Sequence, residues 1–274
     1  MNEGFWTALL AFPFLQRALI AAWLASIACG AIGSFVVVKR IGFLAGGIAH
    51  AVLGGMGIAL YLGLDPMAGA LVAAVFSALL VGWVTLTWRE YEDTLISAIW
   101  AVGMAIGVLF IALTPGYDKD LMSYLFGNVL LVGARDLWRM AALDLLLVAA
   151  VALGYRQFVA VAFDEHFAAQ RGLRVRLVYL GLLVLVAITV VLLIQIVGLI
   201  LVIALLTLPS AIAAHYTRRL GGMILLSMGI GVTLASIGLA VSFQRDWPGG
   251  ATIIIVTGLA YLMSTLLHVA RRRR

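Results

Sequence analysis

The sequence predicts an all-α fold, a polytopic membrane bundle of about eight or nine transmembrane helices, and three observations carry that reading. Of the 274 residues, 65% are hydrophobic and 11% charged, whereas a soluble domain is about 25% charged. The apolar residues fall into runs of about 20, the length at which a helix crosses a hydrocarbon core about 30 Å thick. The basic residues gather where runs end. Taken alternately, the run ends at Lys39 and Arg40, Arg89, Arg156 to Arg176, Arg218 and Arg219, and Arg271 to Arg274 hold thirteen of the eighteen Lys and Arg residues. The positive-inside rule makes those ends cytoplasmic.

Residues 3–14 are apolar and aromatic but too short to span, and read as an interfacial helix. A first crossing is expected over 15–38. The run 41–62 returns, and Asp65-Pro66 turns the chain. A third span, 67–87, leads to the charged loop 88–93, and a fourth, 94–113, ends in the polar turn 114–120. Residues 121–133 are apolar but short, and their Gly127-Asn128 break predicts a re-entrant or surface-parallel half helix. A fifth crossing is expected over 137–155, interrupted by polar residues. Segment 156–176 is the most polar and reads as a cytoplasmic connector. Two runs, 177–197 and 199–217, share a very tight turn, and runs 223–243 and 251–270 complete nine crossings. The N-terminus is expected outside and the C-terminus inside. The opening MNEGFW lacks the positive region of a signal peptide.

The run 41–62 holds the most informative residue. His50 lies near its middle, roughly 15 Å from either boundary at about 1.5 Å per residue. Steps of four place Gly42, Gly46, His50 and Gly54 on one face, with Gly47 and Gly57 beside them. Glycine at that spacing admits another helix backbone, so this face is expected against protein. An ionisable group at that depth marks a functional position. The plainer alternative is a neutral imidazole bonded to a carbonyl of a neighbouring helix.

Several chemistries are excluded. One cysteine, Cys29, makes no disulfide framework and no thiolate cage. The histidines at 50, 166, 215 and 268 form no HxxxH pair, and no HExxH or GxSxG arrangement occurs. The net charge of +6 sits at helix ends and is no nucleic-acid signal. No GxxxxGK[ST] loop is present, so these residues do not hydrolyse ATP. A stand-alone secondary ion transporter is the alternative class, but it would show internal repeats and charged residues within broken helices, and no convincing repeat is found.

Five stretches carry a family resemblance: GSFVVVKR at 33–40, GGIAHAVLGG at 46–55, the long match at 92–130 with its DLMSYLFGN core at 120–128, FDEHFAAQRG at 163–172, and LLTLPSAIA at 205–213. In this order and spacing they resemble the membrane permease subunits of ATP-binding-cassette importers for zinc, manganese and iron. The resemblance covers nearly the whole chain and implies one permease domain over 1–274 in a bacterial cytoplasmic (inner) membrane. It implies a homodimeric pore surrounded by lipid, a separate ATPase subunit that uses the ATP, and an extracytoplasmic metal-binding protein. The divalent metal is cargo, and no permanent cofactor is implied. The family commonly has an aspartate four residues before the histidine, where this chain has Gly46.

His50 is thereby the first candidate metal ligand. Asp144, within the fifth span, is the second; it reads alternatively as a headgroup-level carboxylate beside Arg139. Asn128 and Gln195 are further polar groups at membrane depth. The resemblance makes the 156–176 segment the ATPase coupling element. Asp164 is a good N-cap, Glu165, Phe167 and Ala168 follow in a short helix, and Gly172 stops it. A solvated connector is the alternative there.

Overall fold

A computed structural model describes residues 5–87, 92–115, 127 and 132–272. Most of the expected half helix at 121–133, including Asn128, lies outside the described residues, as does the side chain of Gln195. The described residues are helical, without a strand. In chain order they form α1 (Phe5–Ala11), α2 (Pro13–Lys39), α3 (Gly42–Tyr61), α4 (Pro66–Thr87), α5 (Glu92–Leu113), α6 (Ala134–Phe163), α7 (Glu165–Gln170), α8 (Val175–Val197), α9 (Leu199–Tyr216), α10 (Leu220–Arg245) and α11 (Gly249–Arg272). Nine of these, all but α1 and α7, are long and apolar enough to cross a membrane.

The corners follow from local chemistry. Arg40 takes a left-handed conformation, φ 60°, so α2 stops and α3 starts within two residues. Gly63, φ 69°, ends the turn after α3. Asp65 then accepts a hydrogen bond from the Met67 amide at 3.1 Å, and Pro66 takes the first helical position, where a missing N–H costs nothing. Between α8 and α9 the break is Gly198 alone, at φ 88°, ψ 155°, which only glycine adopts readily. Gly127, also at positive φ, lies directly against that turn.

The fifth crossing differs from expectation. It is one continuous helix of 30 residues, Ala134–Phe163. At about 1.5 Å per residue it is roughly 45 Å long and overshoots the hydrocarbon thickness. The residues from Arg156 to Phe163, expected to begin the connector, are its tail. Tyr155 and Arg156 end the apolar stretch but do not break the backbone.

The chain divides into two compact units. One comprises Met1–Val37, Leu121–Ala150 and Leu192–Arg274. Its helices meet through small residues: Gly33 against the Leu206 carbonyl, Gly30 against the Met228 backbone, Gly231 against Ser26, and Gly238 against Ile253. Buried hydroxyls pair within it, Ser210 Oγ with Ser227 Oγ at 2.8 Å, and the Trp23 indole N–H donates to Ser236 Oγ at 2.8 Å.

The other unit comprises Val38–Asp120 and Val151–Val191. Its centre is α3, buried for most of its length and packed on both α4 and α5. Gly55 of α3 and Gly69 of α4 face each other so closely that a Cβ on either would overlap the other's carbonyl. On the α5 side, a Cβ at Gly54 would lie 2.8 Å from the Gly103 carbonyl oxygen. One at Gly57 would lie 2.7 Å from that of Gly107, and one at Gly47 would lie 2.7 Å from the Ile96 side chain. Two seams of bare backbone therefore hold α3 between its neighbours.

Candidate functional site

His50 lies about 12 Å along α3 from Gly42. It is buried, 9% exposed, which a polar ring tolerates only when its nitrogens are satisfied or put to use. Its Nδ1–H donates to the carbonyl of Gly46, one turn back in the same helix, at 2.8 Å. A carbonyl only accepts, so the proton is on Nδ1 and Nε2 carries the lone pair. Nε2 has no hydrogen-bond partner among the described residues. One ring face stacks on Trp100 of α5, with centroids 4.0 Å apart and planes inclined by 24°. Trp100 in turn touches Phe43 at 5.9 Å. The ring is thus held on two sides with its lone-pair nitrogen uncommitted, the arrangement in which imidazole ligates metal. The sequence alternative, a bond to a neighbouring helix, differs from this geometry: the carbonyl belongs to α3 itself.

The glycines expected on and beside one packed face part company. Gly54 is in the α5 seam, and Gly47 packs tightly on Ile96. Gly46 is buried, yet a Cβ there would meet only the Trp100 ring at 3.6 Å, an ordinary contact, so Gly46 is no part of the tight seam. Gly42, at the start of the helix, is half-buried. The cause is the facing residue: opposite Gly46 stands the Trp100 ring, whereas Gly54 and Gly57 face the bare backbone of Gly103 and Gly107.

Beside that stripe, a cavity of about 440 Å³ between α4 and α5 has its floor on Ala51, Gly54 and Gly55. Its lining is apolar apart from Ser77, so it offers no donor set for a cation. Among the described residues no three His, Cys, Asp or Glu side chains group closely enough to hold a metal. Around His50 the described residues supply one imidazole and backbone carbonyls.

Asp144 belongs to the other unit, ten residues into α6. It is 7% exposed, and its Oδ2 is buried without a hydrogen-bond partner among the described residues. Arg139 lies instead toward Asp136, at 3.9 Å. A carboxylate oxygen so placed calls for a proton, a cation or water.

Within the same unit as His50, α7 is built as its residues dictate. Asp164 is extended, φ −150°, and its carboxylate accepts from the Phe167 amide at 2.9 Å. Gly172, at φ 76°, closes the following turn. Ala168 is fully buried and turns inward, while Phe163 and Phe167 are 61% and 49% exposed. The Arg171 guanidinium covers the Phe167 ring at 5.0 Å. Glu165 pairs with Lys39 at 2.5 Å.

Trp100 and Lys39 are the neighbours that sequence reasoning leaves unmarked. Trp100 sits in an evenly apolar run where periodicity names no face. Lys39 reads as a topological charge, and its partner Glu165 lies 126 positions away.

The ABC 3 transport family matches residues 11–268. This chain belongs to that family. Its relatives include an uncharacterised membrane protein of Synechocystis sp., 46% identical over 93% of this chain and 91% of its own. A probable metal transport system membrane protein of Chlamydia muridarum is 41% identical over 93% and 89%. A manganese transport system membrane protein of Halalkalibacterium halodurans is 34% identical over 95% and 89%. Among solved structures, PsaBC from Streptococcus pneumoniae in complex with Fab superposes with a TM-score of 0.85 at 30% identity, covering 95% of this chain and 94% of that one. An inward-facing metal-chelate type ABC transporter has the same fold, TM-score 0.72, at 12% identity. With its family and the nine apolar helices among its described residues, the chain is a multi-pass bacterial membrane protein and an ABC 3 permease.

Proposed function

We propose that this ABC 3 family chain forms the path by which a divalent transition metal enters the cell, with His50 as a ligand the ion meets on the way. The carrying observation is the His50 ring, fixed by Gly46 and Trp100 with Nε2 left to coordinate. Manganese is the first candidate cargo, because relatives bear that name and because one imidazole with carbonyl oxygens and water is a harder donor set than zinc usually takes. Zinc and iron are the comparison ions. A single imidazole is too few ligands, so two copies of the chain bring two His50 rings to one path. Asp144 is a second, separate candidate for ion contact. With no P-loop of its own, the permease takes its energy from a separate ATPase docked at residues 164–172, and an extracytoplasmic binding protein delivers the metal.

The test is manganese uptake by metal-limited cells expressing His50→Ala or His50→Gln, with membrane abundance measured alongside. Gln keeps hydrogen-bonding capacity but is a poor replacement for an imidazole ligand. Both variants are expected to lose uptake, by at least about tenfold, the lower end of what even outer-shell losses cost a metal site. Full uptake by both removes His50 from the path, and rescue by Gln alone assigns it a structural role.

A further inference from the structure

Lys39 is the charge that ends α2, but its surroundings give it more to do. Its side chain is 14% exposed. The ammonium donates to Glu165 Oε1 at 2.5 Å and to the Val161 carbonyl at 3.3 Å, and lies 5.4 Å from the centroid of the Tyr179 ring. Val161 is in the last turn of α6, where carbonyls lack intrahelical partners and a cation is favoured. Tyr179 is a buried residue of α8. One ammonium thus touches α6, α7 and α8 together, while its own backbone leads straight into α3. The corner is short: Arg40 is left-handed, Ile41 follows, and α3 begins at Gly42.

We propose that Lys39 is the positioning residue that ties α7 to the helix carrying His50, so that movement of α7 reaches α3 without slack. This rests on the permease reading above, in which α7 receives the ATPase. Three features argue for it. Helix α7 has six residues, too few to hold itself, and buries one methyl group, that of Ala168. Side-chain packing alone does not fix its position, and the ion pair at its first residue does. The corner at Arg40 has no loop to absorb a displacement. Beyond it, α3 is clamped to α4 and α5 by backbone contact, so a shift at Gly42 carries to His50 and is not lost in side-chain rearrangement. Residues 39, 50 and 165 also belong to the same compact unit.

The experiment reconstitutes the permease with its co-purifying ATPase in liposomes and measures manganese uptake and phosphate release in the same sample. The variants are Lys39→Met, which keeps the stem and loses the charge, Glu165→Gln, their double, and Lys39→Arg. Each neutral single is expected to lower ions moved per ATP about fivefold or more, the low end of ordinary coupling between sites, and Lys39→Met, which lies outside the docking segment, is expected to leave ATPase association and hydrolysis in place. The double should be no worse than either single, because one link is being cut twice. Lys39→Arg should restore the ratio, since a guanidinium can still donate to both oxygens. An unchanged ratio in Glu165→Gln, multiplied effects in the double, or loss of the ATPase together with uptake in Lys39→Met would each overturn the proposal; the first of these decides it even if Lys39→Met fails to fold. A wild-type complex that moves no manganese, zinc or iron would instead overturn the permease reading, so the two failures are distinct.

Discussion

A single methyl group tests the seams of α3. Gly46→Ala and Gly54→Ala add the same atom to the same helix two turns apart. Replacing glycine by alanine favours a helix interior by about 1 kcal/mol at either place, so that term cancels in the comparison. What remains is space. At 46 the new Cβ finds Trp100 at 3.6 Å, an ordinary contact. At 54 it lies 2.8 Å from the Gly103 carbonyl oxygen and 3.4 Å from the Gly103 Cα, atoms of a backbone that cannot rotate away. Relief requires α3 and α5 to separate by about half an ångström, which opens the contacts at Gly47 and Gly57 as well. Overpacking of that kind costs about 1–3 kcal/mol. Gly54→Ala should therefore be less stable than Gly46→Ala by that amount. The assay is thermal unfolding of the purified permease in one detergent, where 1–3 kcal/mol corresponds to roughly 3–10 °C. Equal melting of the two variants would refute the claim that backbone contact holds α3.

Other outcomes follow from the same geometry. Gly46→Asp should fold, because the space beside Trp100 exists, and should place a carboxylate one turn before His50; KM for divalent-ion uptake should fall and the preference among manganese, zinc and iron should shift, read by competition uptake. Asp164→Ala removes the acceptor for the Phe167 amide and should cost α7 about 1 kcal/mol; ATPase co-purification should weaken while membrane insertion is unaffected. Phe167→Asp puts charge into the exposed apolar surface of α7 and should reduce ATPase binding further, measured by pull-down. A reporter fused after Arg274 should be cytoplasmic and a tag placed between Pro248 and Gly249 external; the reverse would overturn the orientation drawn from the basic residues.

The crossings were legible because each is a long apolar run closed by charge, proline or glycine, and those signals act over a few residues. The Asp65-Pro66 corner, the Asp164 cap and the Gly172 stop are local in the same sense. What escaped depends on neighbours. Steps of four along α3 put 42, 46, 50 and 54 in line, but the angle at which α4 and α5 cross is set by residues more than ten positions away, so the seams fall at 47, 54, 55 and 57. The length of α6 escaped for another reason: Arg156 and Gln157 read as a membrane boundary, yet a helix continues through polar residues once water satisfies their side chains. The tie between Lys39 and Glu165 joins two charged residues that each have an ordinary local explanation. The histidine showed its depth in the sequence, but its tautomer and its stack on Trp100 needed the α5 backbone in place.

The looseness at Gly46 has a consequence for how such a chain changes over time. Gly54, Gly55 and Gly57 of α3 are closed to substitution, because a Cβ there strikes a neighbouring backbone. Position 46 is different: it faces the ring below His50 and has room for a side chain. Glycine and aspartate codons differ at one nucleotide. A carboxylate beside the imidazole can therefore be gained or lost in one mutational step, with the scaffold that holds both helices left intact. If His50 meets the ion as proposed, the ion-facing chemistry and the mechanical frame occupy neighbouring residues of one helix, yet they are free to vary separately.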